Sequence, residues 1–439
     1  MSKRNFILLI IVLVLIVIGV FLFLFFRGGP ATPGDDVNGP NFFSPFNPFT
    51  PRPPIVTPPV EIPNDVLPPE TQTPTVKLIK VSSMPIAGFG LFTKERLKDV
   101  PIVPTPEGAT PAKKPSAPLT EFMPAVRYVA KATGNIFQTF ADKIMERKFS
   151  GTTIPKIHEA YFGNRGESVV MRYLKADERT IETFVGNLPK ELLGADTSEN
   201  NEVKGSFLPN NVKDVSVSPD GLKIFYLFES GANLENTIMG TTMNFKDSKK
   251  VQIFDSAFTE WLSGWPDSNI ITLTTKPSAN VLGYMYTIDS AGKNLSKVLG
   301  NINGLTTLSA PNGKLILYGD NTLSLNIYHT DTRNSDTVGL KTLPEKCVWG
   351  KVSDIIFCAV PKAVGFGPYP DAWYQGEVSF NDELWKIDVK TGNTTLLANP
   401  PTIEGGEEID GVKLALDEGE NYLFFVNKKD SFLWKLDLK

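Results

Sequence analysis

The stretch Val215-Ser-Val-Ser-Pro-Asp-Gly-Leu-Lys-Ile-Phe-Tyr-Leu-Phe228 has the pattern of a β-hairpin. Two apolar runs, rich in β-branched and aromatic residues, flank the tetrapeptide Ser218-Pro-Asp-Gly221. Proline fixes its own φ, aspartate can hydrogen-bond to the turn backbone, and glycine tolerates a positive φ. The stretch therefore predicts two antiparallel strands joined by a tight turn.

The same pattern returns along most of the chain. Its copies, each an apolar strand, a polar turn and a strongly apolar strand, are Ile157–Leu174, Val215–Phe228, Glu260–Thr274, Thr307–Tyr318, Cys347–Val360 and Val412–Val426. A second hairpin follows each copy, most clearly at Leu384-Trp-Lys-Ile-Asp388 and Leu433-Trp-Lys-Leu-Asp437. Two hairpins per repeat make four antiparallel strands, which is one blade of a β-propeller. The turns recur at about 40 to 65 residues, a spacing that fits blades with loop insertions.

The pieces at 77–92 and 126–140 predict one more blade, split by a proline-rich insertion at 101–119 that we expect to be disordered. The last copy stops at Lys439, after its third strand, so a strand within 76–92 is expected to complete it. Such closure would remove exposed sheet edges. We therefore predict an all-β fold, a seven-bladed β-propeller at 76–439, with six or eight blades as the alternatives.

The turn Ser218-Pro-Asp-Gly221 ahead of Lys223-Ile-Phe-Tyr226 resembles the repeat of TolB-type, WD-repeat-like β-propellers. Ala310-Pro-Asn-Gly313 matches the same pattern with asparagine in place of aspartate. The resemblance implies the propeller fold. It also implies an extracytoplasmic protein that works by binding other proteins, although propellers host binding, scaffolding and catalysis alike.

The N-terminus predicts a membrane anchor. Phe6–Phe26 is a run without a charged or polar side chain, and at about 1.5 Å per residue it is long enough to cross a bilayer. Lys3 and Arg4 precede it, so the positive-inside rule leaves residues 1–5 in the cytoplasm and the rest of the chain outside. No Ala-x-Ala cleavage site follows, which indicates an uncleaved signal anchor. Residues 27–75 are rich in proline and predict a disordered stalk biased to polyproline II.

Composition and motifs exclude several functions. A net charge of −4 argues against a nucleic-acid partner. The two histidines, His158 and His329, lie far apart and outside any Cys/His spacing typical of zinc sites. The chain has no Gly-x-Ser-x-Gly elbow and no phosphate-binding glycine loop. We therefore expect no catalytic residue, no cofactor and no metal site.

Two functions follow from this pattern. The leading prediction is a membrane-anchored propeller without catalysis, bound to the bilayer through residues 6–26, that binds an extracytoplasmic protein or an envelope component. The alternative is a propeller enzyme acting on glycans, or a cofactor-dependent oxidoreductase. Carboxylates from different blades that converge at one mouth of the ring would favour the enzyme, but no pair can be selected from the sequence.

The segment Val364–Phe380 is the candidate binding surface. It separates the two hairpins of one blade, and loops of this length in compact folds are usually functional or disordered. Its aromatic residues Phe366, Tyr369, Trp373 and Tyr374 have the composition of interface anchors. The alternative is that these rings fold back and plug the blade or the central channel.

Cys347 and Cys358 are the two cysteines of the chain. A turn centred between Val352 and Ser353 places them opposite each other on antiparallel strands, where Cβ atoms are about 4.5–5.5 Å apart. A disulfide prefers about 3.8 Å, so the bridge requires a non-hydrogen-bonded pair. A shift of one residue would separate the two cysteines, and two buried thiols are the alternative.

Overall fold

The computed structural model describes residues 77–98, 119–191, 201–231 and 236–439. Its strands β1 to β28 form seven sheets, each of four antiparallel strands. The predicted all-β, seven-bladed propeller is therefore confirmed. In six of the seven blades the four strands follow one another in sequence order, whereas the blade formed by β26, β27 and β28 takes β1 as its fourth strand.

The first four blades follow one another along the chain. Their strands are, for blade 1, β2 (Ile86–Leu97), β3 (Thr120–Ala130), β4 (Ile136–Phe140) and β5 (Arg147–Lys148); for blade 2, β6 (Ile157–Gly163), β7 (Ser168–Leu174), β8 (Ile181–Asn187) and β9 (Lys204–Phe207); for blade 3, β10 (Val212–Val217), β11 (Lys223–Ser230), β12 (Thr237–Asn244) and β13 (Lys250–Ser256); for blade 4, β14 (Trp261–Asp267), β15 (Ile270–Thr275), β16 (Leu282–Asp289) and β17 (Ser296–Asn303).

The remaining blades complete the ring. Their strands are, for blade 5, β18 (Thr306–Ser309), β19 (Leu315–Gly319), β20 (Ser324–His329) and β21 (Ser335–Lys341); for blade 6, β22 (Cys347–Trp349), β23 (Ile355–Pro361), β24 (Asp382–Asp388) and β25 (Thr394–Ala398); for blade 7, β26 (Gly411–Leu416), β27 (Tyr422–Asn427), β28 (Leu433–Asp437) and β1 (Leu78–Lys80). A short helix, α1 (Asp371–Tyr374), lies between β23 and β24. Single 3₁₀ turns are present at Asn164–Gly166, Pro344–Lys346 and Pro400–Thr402.

The first strand of the chain closes the ring. β1 is the fourth strand of blade 7 and pairs with β28 in the register Leu78↔Leu436 and Lys80↔Trp434. The Asp437 N–H extends the pairing with a 3.0 Å hydrogen bond to the carbonyl of Lys77. An early strand therefore supplies the fourth strand that the C-terminal repeat lacks, as the sequence predicts.

The Ser-Pro-Asp-Gly turn has the predicted chemistry. Gly221 has a φ of +69°, and its N–H donates to the carbonyl of Ser218 at 2.8 Å. The Asp220 carboxylate accepts from the Leu222 N–H at 2.9 Å. A side chain at position 221 would strain this turn, because φ > 0 is unfavourable for residues with a Cβ.

The core lies in layers between neighbouring blades. Val129 and Ile136 of blade 1 pack with Val169 and Met171 of blade 2. The same arrangement joins the other blades, since the strongly apolar second and third strands face the next sheet. Burial of each large aliphatic side chain contributes about 1.5–3 kcal/mol, so these layers hold the ring together.

Within the part of the chain that the structure describes, no helix is both long and apolar enough to cross a bilayer. The predicted segments 1–5, 6–26 and 27–75 lie outside the described residues. Residues 101–118 of the predicted insertion also lie outside them.

Candidate functional site

The first strands of the blades surround the central channel. β2 contacts β6, β10 contacts β14, and β22 contacts β26, so the innermost strands of neighbouring sheets face one another around the axis. Residues at equivalent positions of these strands therefore meet at one level of the channel, although they are far apart in sequence.

Charged and polar side chains occupy the third position of several first strands. Glu159 is the third residue of β6, Asp214 of β10, Ser263 of β14 and Lys413 of β26. Glu345 lies at the same end, in the 3₁₀ turn that leads into β22. We call these five residues the channel mouth. Its carboxyl groups come from blades 2 and 3 and from the entry to blade 6.

Two cations hold the carboxylate of Glu159. The Arg172 guanidinium donates to it from β7, and Lys413 Nζ lies 4.0 Å from Glu159 Oε1. Arg172 is itself fixed by a 2.5 Å hydrogen bond to the carbonyl of Val212 in the next blade. Removal from water would raise the pKa of Glu159, but Arg172 and Lys413 outweigh that effect and lower the pKa below its ordinary value. Glu159 is therefore ionised at neutral pH.

Asp214 has the opposite shift. Burial raises the pKa of its carboxyl group, and the nearby charge of Glu159 raises it further. Hydrogen bonds from the Ser263 N–H (2.5 Å) and Oγ–H (2.7 Å) act against the rise without cancelling it. Neighbouring blades therefore present two carboxyl groups whose pKa values are shifted in opposite directions, a pattern found in acid–base sites.

The pKa of Glu345 is also raised above its ordinary value. Burial raises its pKa, the Tyr374 hydroxyl and Lys346 act against this, and the charge of Asp214 adds to the rise. The Tyr374 hydroxyl donates a hydrogen bond to Glu345 Oε1. Because Asp214 interacts with both Glu159 and Glu345, the three carboxyl groups of the channel mouth are electrostatically linked.

A cavity of about 250 Å³ opens between blades 4 and 5, beside the channel mouth. Glu345 and Ser263 belong to its wall. Most of its other polar residues carry hydroxyl groups, namely Thr272, Thr274, Thr306, Thr307 and Ser309. Among the described residues, its lining contains no lysine, arginine or histidine. We call it the hydroxyl-lined cavity.

Three residues of this lining have polar atoms without a hydrogen-bond partner among the described residues. They are Trp265 Nε1, Thr306 Oγ1 and Ser309 Oγ. Trp265 is 8% exposed and Thr306 is 2% exposed. Buried polar groups are nearly always hydrogen-bonded, and leaving one unpaired costs about 1–3 kcal/mol. Three such atoms therefore belong to residues of one cavity wall.

The segment predicted as a binding surface lies beside the channel mouth. Tyr369 and Trp373 are buried, at 3% and 4% exposure, and pack with Phe380, whereas Phe366 is fully exposed and Tyr374 is 37% exposed. The Trp373 Nε1–H donates to the Asp410 carboxylate, at 3.0 Å from Oδ2. Two of the four rings thus face the core and two face solvent, and the segment as a protein-binding surface stays a prediction.

A buried ion cluster lies beneath these rings. Lys346 Nζ is 2.7 Å from Asp382 Oδ2 and also contacts Asp410, and all three side chains have 0% exposure. The ammonium group lies 5.3 Å from the centre of the Trp373 ring. No sequence pattern distinguishes these residues from surface charges.

Cys347 and Cys358 are opposite each other in the register of β22 and β23. Their sulfur atoms are 2.09 Å apart and form a disulfide. His158 and His329 are not grouped, and His329 Nε2 pairs with Asp336 at 2.9 Å. In the described ranges, no three His, Cys, Asp or Glu side chains are arranged to hold a metal ion.

The sequence did not reveal Glu159, Asp214, Glu345 or Lys413 as site residues. A signal was present, because the short apolar first strands carry a charged residue at their third position in three of the repeats, as Ile157-His-Glu, Val212-Lys-Asp and Gly411-Val-Lys. An alignment of the repeats by strand would have placed these charges at one level of the channel.

No family model and no curated protein matches this chain. Solved structures do match it. An oligogalacturonate lyase in complex with manganese is 11% identical, with a TM-score of 0.43 over 72% of this chain and 85% of that chain. The oligogalacturonate lyase of Vibrio parahaemolyticus is 10% identical, with a TM-score of 0.42 over 83% and 99%. A chain of the mitotic checkpoint complex is 11% identical, with a TM-score of 0.43 over 72% and 87%.

These matches correct the expected function. The prediction of a scaffold without catalysis, and of a protein that is not an enzyme, is wrong: two of the matched structures are enzymes, which agrees better with the alternative of a propeller acting on glycans. At this identity and TM-score the likeness is one of fold. The activity has to be argued from the chain's own residues.

Proposed function

We propose that this propeller hydrolyses a glycosidic bond at the channel mouth, with one sugar unit held in the hydroxyl-lined cavity. The observation that carries the proposal is a set of carboxyl groups whose pKa values are shifted in opposite directions. These groups lie beside a cavity whose lining residues have unpaired buried polar atoms. Glycoside hydrolysis generally requires one neutral and one ionised carboxyl group on either side of the scissile bond.

The hydroxyl-lined cavity suits a neutral sugar. Serine and threonine hydroxyls both donate and accept hydrogen bonds, as sugar hydroxyls do. The lining also includes Thr306, Ser309 and Trp265, whose buried polar atoms have no partner among the described residues. The Trp265 ring supplies a flat apolar surface with a polar edge. Within the described part of the chain the lining offers no cation to neutralise a uronate, so the proposal is a neutral sugar unit.

Glu345 would be the general acid, because it lies in the cavity wall and burial raises its pKa above the ordinary value. Its proton goes to the oxygen of the leaving sugar as the bond between that oxygen and the anomeric carbon breaks. Glu159, held ionised by Arg172 and Lys413, takes a proton from water as the hydroxide adds to the anomeric carbon. The charge of Asp214 adds to the rise in the pKa of Glu345.

We also propose that the propeller works outside the cytoplasm on a membrane anchor, on a glycan of the cell envelope. The apolar run Phe6–Phe26 behind Lys3 and Arg4 supports this orientation. Protease added to cells stripped of their outer layers should digest residues 77–439 and spare the N-terminus. Full protection of the propeller would contradict the orientation.

The test uses the detergent-solubilised full chain and polysaccharides of neutral sugars, namely starch, a mannan and cellulose-derived oligosaccharides, with polygalacturonate for comparison. New reducing ends without new double bonds are expected from a neutral polysaccharide. Glu345→Gln and Glu159→Gln should each lower the rate about 100-fold or more, since a positioned acid or base contributes 10²–10⁴-fold. Glu182→Gln, which alters a carboxylate paired with Lys175 away from the channel, should leave the rate unchanged.

Two results would overturn the proposal. One is the absence of new reducing ends from every neutral polysaccharide. The other is full activity of the Glu345→Gln variant. Unsaturated products from polygalacturonate would replace hydrolysis with elimination and would contradict the neutral-sugar assignment.

A further inference from the structure

The link between β23 and β24 forms a closed loop beside the channel mouth. We call residues 362–381 the strap. Its two ends are joined, since the Lys362 N–H donates to the carbonyl of Asn381 at 2.9 Å. Loops with adjacent ends that pack on their own side chains are frequently functional. The strap contains α1, whose Asp371 reaches blade 4 and whose Tyr374 reaches Glu345 at the entry to blade 6.

The core side of the strap is fixed by the buried ion cluster. Asp410 accepts hydrogen bonds from the Trp373 Nε1–H at 3.0 Å, from the Phe380 N–H at 3.1 Å and from the Ser379 hydroxyl at 3.2 Å. Lys346 also contacts the Asp410 carboxylate. Asp410 therefore ties the Trp373 ring and the Phe380 backbone to the buried ion cluster.

The far side of the strap extends to blade 4. Asp371 Oδ2 accepts a 2.5 Å hydrogen bond from the Ala279 N–H, in the loop between β15 and β16. Pro277 of the same loop belongs to the wall of the hydroxyl-lined cavity. Between these two attachments, the Tyr374 hydroxyl donates to Glu345, in the same wall. The strap thus lies along the rim of the cavity.

We propose that Tyr374 is a positioning residue for Glu345, and that the strap exists to hold its hydroxyl against that carboxyl group. This inference rests on the proposed function, in which Glu345 is the acid. A carboxyl group that donates its proton must present one oxygen to the ligand. With Oε1 held by Tyr374, the proton is carried on Oε2.

The charge balance around Glu345 makes the role measurable. The titratable groups that face it are Tyr374 on the strap, Lys346 in its own 3₁₀ turn and Asp214 on β10, with Asp371 beside Tyr374. The Tyr374 hydroxyl stabilises the carboxylate form. Burial and the charge of Asp214 raise the pKa of Glu345, and the Tyr374 hydroxyl acts against them. Without that hydroxyl, the pKa of Glu345 should rise further. The acid would then stay protonated to a higher pH.

The experiment is Tyr374→Phe in the full chain, which keeps the ring and removes the hydroxyl. The basic limb of the pH profile of kcat/KM, on the neutral polysaccharide that the wild type hydrolyses, should move up by roughly one pH unit. A second readout is the titration of the Glu345 carboxyl group by infrared spectroscopy, identified by its loss in Glu345→Gln. That titration should shift in the same direction.

A matched control is Tyr173→Phe, because the Tyr173 hydroxyl makes the same kind of hydrogen bond to Glu182, in blade 2 and away from Glu345. Neither readout should change in that variant. An unchanged Glu345 titration in Tyr374→Phe would overturn the inference, whether or not any glycan is cleaved. A shifted titration without turnover by the wild type would instead count against the proposed function alone.

Discussion

Replacement of Lys346 by methionine is the sharpest test of what holds this propeller together. The ammonium group has 0% exposure, lies 2.7 Å from Asp382 Oδ2 and also contacts Asp410. Methionine has a similar length and no charge, so the substitution removes the cation that contacts both the Asp382 and the Asp410 carboxyl groups. Breaking a buried pair by removing one partner costs about 3–5 kcal/mol.

The loss should depend on pH. Burial raises the pKa of Asp382 from 3.8 to about 6 although Lys346 opposes the rise. Its folded-state pKa lies above the unfolded value, so the stability it contributes is fully present below the unfolded pKa. That stability disappears as the pH rises through about 6. A rise from 3.8 to about 6 corresponds to about 3 kcal/mol.

Without Lys346, the pKa of Asp382 should rise further, and the loss should extend to higher pH. Lys346→Met should therefore cost more at about pH 8 than at about pH 5, since the acid form of Asp382 tolerates the missing cation. Urea unfolding of the detergent-solubilised full chain, followed by tryptophan fluorescence at both pH values, measures this. Asp382→Asn in the Lys346→Met background should recover part of the loss at the higher pH.

Lys276→Met is the control, because its pair with Glu260 is exposed and should be worth less than about 1 kcal/mol. A loss below about 1 kcal/mol for Lys346→Met would refute the reasoning, as would a loss that is equal at both pH values. Either result would mean that the cluster is more open to water than its burial indicates.

Two further predictions concern the ring and the disulfide. A chain that starts at residue 76 should unfold cooperatively in urea, whereas one that starts after Lys80 should be markedly less stable, because blade 7 then exposes the edge of β28; equal midpoints would contradict closure by β1. Thiol counting on the unfolded, unreduced protein should find no free thiol, and two free thiols would contradict the disulfide. Replacing both Cys347 and Cys358 by serine should lower the free energy of unfolding by about 2–3 kcal/mol for a loop of this length.

Local pattern explains why the fold could be predicted. The turn at Ser218–Gly221, the apolar second strands and the repeated Leu-Trp-Lys segments each specify a hairpin through contacts a few residues apart. Repetition then sets the number of blades. The incomplete last repeat required a strand from elsewhere, and β1 supplies it.

The site could not be predicted because no local pattern contains it. Glu159, Asp214 and Glu345 lie in three separate segments without a recognisable motif, where a carboxylate is usually a solvated surface residue. Closure of the ring brings them to one end of the channel, and burial then shifts their pKa values in directions set by neighbours from other blades. The aromatic segment Val364–Phe380 is the opposite case. Its composition is visible in the sequence, but which of its rings are buried and which are exposed is not.

The buried ion cluster and the proposed acid are joined through the backbone. Glu345 and Lys346 are consecutive residues of one 3₁₀ turn, so one side chain points to the cavity wall while the next enters the core beneath the strap. Loss of the Lys346 charge would disturb Asp410, the strap and Tyr374 together, and through Tyr374 the proton of Glu345. A drop in turnover for Lys346→Met therefore cannot assign Lys346 a catalytic role. Tyr374→Phe acts on Glu345 without disturbing the cluster, and only a pH profile that moves in that variant separates the chemistry of the acid from the stability of its support.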